Sequence, residues 1–151
     1  MKLLAYTDGA SRGNPGGSGI GVLVTKTDGT LVRSLKGFLG STTNNVAEYT
    51  ALIACLQTAA ALRCTELIVH SDSELMVRQM TGQYKVKDAE LKLLHKRALG
   101  LIAHARMKFS ILHIERAQNA GADRLANEAI DQQIPLAGFS VLGAAQENLF
   151  H

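Results

Sequence analysis

What most restricts the fold of this chain is the order in which its apolar residues change their spacing. Lys2 to Thr7, Gly19 to Lys26 and Thr30 to Gly40 each read as a strand, and from Asn44 to Leu62 apolar residues and alanines recur at helical spacing. Asp28-Gly29 between the second and third runs is a strong hairpin signal, while Asp8 to Gly17 is dense in turn formers and reads as a loop. Glu66 to His70 is a short apolar strand and Ser73 to Thr81 a short helix. Asp88 to His104 is amphipathic, with Leu91, Leu94, Ala98, Leu101 and Ile102 on one stripe, and is followed by a strand from Lys108 to Glu115 and a helix from Gly121 to Gln132. Three successive strands followed by alternating helices and strands predict an α/β fold. Its five-stranded mixed sheet, an antiparallel meander and then parallel strands, is flanked by helices.

A chain of 151 residues, 46% of them hydrophobic, holds one domain with one core. That domain is expected to span 1–132, leaving 133–151 as a tail. The tail is too apolar from Ile134 to Gly143 for a solvated end, so Phe139, Val141 and Leu142 are expected to dock on the domain. Cys55 and Cys64 fall in or beside the long apolar helix without metal-ligand spacing, which predicts buried thiols. No export signal or membrane span opens the chain, so the cytoplasm is the expected compartment, with no membrane and no obligate protein partner. A net charge of +3 permits a polyanionic partner without demanding one.

The acidic residues narrow the reading. Asp8 ends the first strand and Asp72 follows the fourth, so they lie side by side if those strands pair in parallel. Glu48 shares a helical stripe with Leu52, Cys55 and Leu56, and Asp123 shares one with Ala126 and Ile130, so both are expected to face inward. Singly, each has a plainer explanation. Asp8-Gly9 suits a turn, Asn45 with Glu48 and Ser71 with Glu74 suit capping boxes, and Asp123 suits the first turn of a helix. Those explanations predict scattered, solvated acids, whereas the patterns send all four towards the sheet, where carboxylates need hydrogen bonds, cations or metal.

Four segments carry a resemblance. Tyr6-Thr7-Asp8-Gly9-Ala10-Ser11 with Gly13-Asn14-Pro15-Gly16, Thr43-Asn44-Asn45-Val46-Ala47-Glu48, Ser71-Asp72-Ser73, and Asn119-Ala120-Gly121-Ala122-Asp123-Arg124-Leu125-Ala126 resemble, in order, the signature segments of type 1 ribonuclease H. The likeness runs from Lys2 to about Asp131 and implies a ribonuclease H-like fold. It implies an endonuclease that hydrolyses the RNA strand of an RNA·DNA hybrid, with Asp8, Glu48, Asp72 and Asp123 as metal-binding catalytic acids. Thr43 would grip a DNA-strand phosphate, and Asn14, Asn44 and Asn45 would lie along the hybrid and recognise the RNA backbone.

The chemistry accounts for the acids. Two Mg²⁺ ions about 4 Å apart clamp an in-line displacement, with Mn²⁺ as the alternative metal, and hard cations of this kind take oxygen ligands. Activated water leaves a 5′-phosphate and a 3′-hydroxyl, and the 2′-hydroxyl then serves recognition. Two departures place the chain nearer the compact, archaeal-like subgroup, whose members also attack double-stranded RNA. It has no tryptophan-bearing basic protrusion, and no longer loop with a mobile histidine before the last helix; His113, within a strand, reads as structural. Grip on the substrate is therefore expected from Lys85 and Lys87, which precede a helix, follow Tyr84 and would meet the DNA strand's phosphates. Another nuclease or strand-transfer enzyme on the same fold, and a hybrid-binding module without catalysis, are the alternatives.

Overall fold

A computed structural model describes residues 1–135. The tail residues Phe139, Val141 and Leu142 lie outside the described residues. The elements run β1 (Lys2–Gly13), β2 (Gly16–Thr25), β3 (Leu31–Thr42), α1 (Asn44–Ala61), β4 (Glu66–Ser71), α2 (Glu74–Met80), α3 (Ala89–Ala105), β5 (Lys108–His113) and α4 (Ala120–Gln132), with a 3-10 turn at Arg116–Asn119. Their sheet order is β3-β2-β1-β4-β5. β1 pairs antiparallel with β2 and β2 with β3, while β1–β4 and β4–β5 are parallel. The mixed five-stranded sheet is therefore as expected, with β1 at its centre.

The first hairpin departs from the reading of the sequence. The stretch from Asp8 to Gly17 is not a loop: β1 continues to Gly13, pairs Gly13 with Gly16, and leaves only Asn14-Pro15 as the turn. Within it, Gly9 instead lets a helix approach a strand, since a Cβ there would lie 2.2 Å from the α1 backbone at Ala47, and β2 does the same further along. A Cβ on Gly21 would lie 2.1 Å from the carbonyl oxygen of Ala122, so α4 crosses β2 only where β2 lacks side chains. At the second hairpin, Gly29 takes φ 91° and Asp28 accepts from the Thr30 N–H, as the Asp-Gly signal anticipates. β5 ends at His113 rather than Glu115, because Glu115 and Gln118 form a capping box that starts the 3-10 turn.

α1 is buried almost all round, from Val46 to Leu56 and again at Ala59, because the sheet lies on one side of it and α3 on the other. α3 presents Leu91, Leu94 and Ala98 to that contact, with Leu101 and Ile102 half-buried at its edge. α4 covers β1, β2 and β3 on the opposite face through Ala122, Ala126, Ala129 and Ile130. Its far end is tied down where the Phe38 N–H donates to the carbonyl of Ile134. Cys55 and Cys64 are buried free thiols, and burial pushes Cys55 up to about 12. No helix among the described residues is long and apolar enough to cross a membrane.

Candidate active site

The parallel register builds the site. Pairing of β1 with β4 ends at Thr7 opposite Ser71, so the next residues, Asp8 and Asp72, emerge together where the strands part. α1 delivers Glu48 to the same place. Its Oε1 accepts from the Gly9 N–H at 2.8 Å, and a Cβ on Gly9 would sit 2.2 Å from the backbone of Ala47, so this approach requires glycine. Oxygens of Asp8, Glu48 and Asp72 lie within 4.8 Å of one another.

Burial and crowding then set their protonation. Burial, followed by the charges of Glu48, Asp72 and Asp123, pushes the Asp8 carboxyl far above its ordinary range. Glu48 is raised by burial and then by Asp72, against a smaller pull downward from the Gly9 N–H and Arg116. The Oδ2 atom of Asp8 is buried without a hydrogen-bond partner. Three hard oxygen donors, two of them costly to ionise and one left unpartnered, fit a divalent cation.

Asp123 stands beside this group rather than inside it. Its side chain is 31% exposed and meets Arg116 at 3.5 Å, so it only half faces the interior. The capping-box explanations fail for Glu48 and Ser71, because the N-caps are Thr43 for α1 and Ser73 for α2. Thr43 accepts from the Val46 N–H, and Asn44 donates its N–H to the side chain of Asn14 at the hairpin tip. Exposed Asn14, Asn44 and Asn45 thus share one end of the molecule with the acids.

A cleft of about 300 Å³ contains Asp8, Glu48 and Asp72, with Asn44, His113 and Arg116 on its walls. A second depression of about 430 Å³ shares Asn44 and Arg116 with it and extends to Arg12, Asn14 and Asn127. Lys85 and Lys87 line neither. They are exposed on the connector between α2 and α3, where Arg78 stacks over Tyr84 at 5.4 Å. Sequence reasoning gave no role to Arg116 or Asn119 and read His113 as structural. His113 is exposed at the end of β5 on the cleft wall, while buried Asn119 donates to the Thr7 carbonyl just before Asp8. The signal for all three was their position at or just after the end of the last parallel strand.

Residues 6–129 match the Reverse transcriptase-like family model. The bifunctional protein Rv2228c of Mycobacterium tuberculosis is 45% identical over 132 residues, covering 87% of this chain but 36% of that protein. The chain thus spans about a third of that relative's length. Ribonuclease HI of Halobacterium salinarum is 42% identical, covering 86% of this chain and 65% of that protein. The crystal structure of RNase H1 from that organism superposes with a TM-score of 0.84 over 87% of this chain and 99% of the other, at 41% identity. LC11-RNase H1, solved in complex with RNA/DNA hybrid, gives 0.84 at 42% identity over 87% and 98% of the two chains. Sheet order, the meeting of acids from β1, α1 and β4, and these likenesses lead to one conclusion: the chain belongs to the ribonuclease H family, in its type 1 branch.

Proposed function

We propose that this chain is an endonuclease that hydrolyses the RNA strand of RNA·DNA hybrids, with residues 1–132 as the catalytic domain. The observation that carries the reading is the meeting of Asp8, Glu48 and Asp72 within 4.8 Å in an open cleft. With Asp123 beside them, these residues would hold two divalent cations, Mg²⁺ or Mn²⁺. Bound cations supply Lewis-acid activation of a water and neutralise charge on the leaving oxygen, giving 5′-phosphate and 3′-hydroxyl ends. Glu48 is oriented by the Gly9 N–H, which occupies one of its oxygens and leaves the other for the cleft. Arg116, at the junction of the two depressions, places a cation beside the path of a phosphate backbone.

The hybrid would lie along the second depression. Asn14, Asn44 and Asn45 meet its RNA backbone and 2′-hydroxyls, Thr43 a DNA-strand phosphate, and Lys85 and Lys87 further phosphates of the same strand. LC11-RNase H1, similar over nearly its whole length, was solved with such a hybrid, which supports this substrate class. Double-stranded RNA is the second substrate to test. Labelled hybrid, RNA duplex, DNA duplex and single-stranded RNA, incubated with Mg²⁺, Mn²⁺ or chelator, separate the readings. Metal-dependent cut RNA in the hybrid with 5′-phosphate ends supports the proposal. Equal cutting of DNA duplex would favour another nuclease on the same fold, and binding without cleavage a hybrid-binding module.

A further inference from the structure

Asp123 differs from the other three acids in how it is held. No backbone N–H fixes it and it is not packed into the core; besides the Asp8 carboxyl, the groups on it are the side chains of Arg116 and of Asn127, one turn further along α4. Both contact the same oxygen. Arg116 lies 3.5 Å from Oδ1 of Asp123, and the Asn127 amide donates to that Oδ1 at 3.3 Å and to the Asp123 carbonyl at 2.9 Å. With Oδ1 occupied from two sides, the rotation of the carboxylate is restricted and Oδ2 is left for the acids of the cleft.

Asn127 is itself held from behind. The Arg12 guanidinium, from the end of β1, donates to Oδ1 of Asn127 at 3.3 Å and to its carbonyl at 3.4 Å, while its other nitrogen pairs with Asp131 at 2.5 Å. The amide therefore stands between a carboxylate and a guanidinium. Turned over, it would set its oxygen against Asp123 and its NH₂ against Arg12, so the two charges fix which way it points. Asparagine meets both needs in one short side chain, a donor forward and an acceptor behind. Helix propensity does not explain it, since alanine suits an α4 interior better.

We propose that Asn127, anchored by Arg12 and Asp131, is a positioning residue that aims the carboxylate of Asp123 at the metal-binding acids. The inference rests on the functional reading above, which places Asp123 among those acids. It assigns Arg12 a role at a distance: the hairpin that carries Asp8 also locks the helix that carries Asp123.

Asn127→Ala tests this, because structural and positioning roles predict opposite results. Loss of an outer hydrogen-bond partner is expected to lower kcat about tenfold and to weaken Mg²⁺ binding measured by calorimetry without substrate. Tm is expected to hold or rise, since alanine replaces a poorer helix former. Arg12→Ala should lower kcat by less. The double variant should match Asn127→Ala alone, since Arg12 acts through Asn127. Wild-type kcat and Mg²⁺ affinity in folded Asn127→Ala would overturn the proposal, as would a kcat loss that merely follows a fall in Tm or additive losses in the double variant. A wild-type protein that cleaves no hybrid would instead overturn the functional reading, and the Mg²⁺ isotherms would still decide the role of Asn127.

Discussion

The acid cleft and the connector between α2 and α3 hold charge in opposite ways. In the cleft, Asp8 and Glu48 are 3% and 5% exposed and come from separate elements brought together by strand register and helix packing. In the connector, Lys85 and Lys87 are neighbours in sequence, exposed and clear of the cleft walls. Buried like charges are costly, so their arrangement is rigid and calls for a cation. Exposed cations cost little wherever they stand, so they suit a polyanion whose shape the protein need not match closely. Under the proposed function, rigid chemistry and adaptable grip would occupy different parts of one small fold.

The largest effect is expected at the cleft. Asp72→Asn should remove detectable Mg²⁺-dependent cleavage of hybrid while the circular dichroism spectrum stays that of the wild type. Substantial residual activity would break the contrast, since the cleft would no longer depend on its charge. Gly9→Ala should follow. A methyl group at 2.2 Å from the α1 backbone forces α1 away from β1, at a cost of about 3 kcal/mol in chemical denaturation, and displaces Glu48. Unchanged stability would show that Glu48 is not held by close packing.

The contrast also bears on what the sequence reveals. Adjacency of Asp8 and Asp72 is legible on the condition that strands one and four pair in parallel, and the β1–β4 register meets that condition. The Asp8 to Gly17 segment reads as a loop because glycine serves turns and close helix approach alike, and only the approach of α1 to Gly9 and the strand pairing as far as Gly13 distinguish them. Asp123 was placed fully inward because helical periodicity assigns a face but not the edge of that face. Asn127 stands one turn after Asp123 on α4, so their contact follows from helical spacing, but its anchoring by Arg12 and the pairing of Arg116 with Asp123 depend on how β1, the 3-10 turn and α4 meet in space.

Protonation sharpens the contrast. Asp8 and Glu48 are raised above ordinary values of 3.8 and 4.5, so between those values and the folded ones the native state binds protons that the unfolded chain has released. Metal-free protein should therefore be most stable in mild acid and lose stability as pH rises through neutrality towards about 9, where Asp8 ionises. Asp8→Asn should flatten that decline, and Mg²⁺ should offset it in the wild type. A stability profile that rises with pH over this range, with chelator present, would contradict the assignment.

The smallest effect belongs to the connector. The double change Lys85→Ala, Lys87→Ala should raise KM and leave kcat nearly unchanged, because the acids are untouched. Each lost phosphate contact should flatten the plot of log KM against log salt by about 0.9. An unaltered slope would place the grip on the hybrid elsewhere, with Arg12 and Arg116 as the nearest cations lining the groove.

Crowded as they are, Asp8, Glu48 and Asp72 are expected to form a divalent-cation site, which calorimetric titration with Mg²⁺ measures without substrate. At a pH where wild type and Asp8→Asn are both folded, the wild type should bind Mg²⁺ and release protons as Asp8 and Glu48 give them up, while Asp8→Asn binds far more weakly. Equal Mg²⁺ affinity in the two proteins would mean that the crowded acids do not hold the cation.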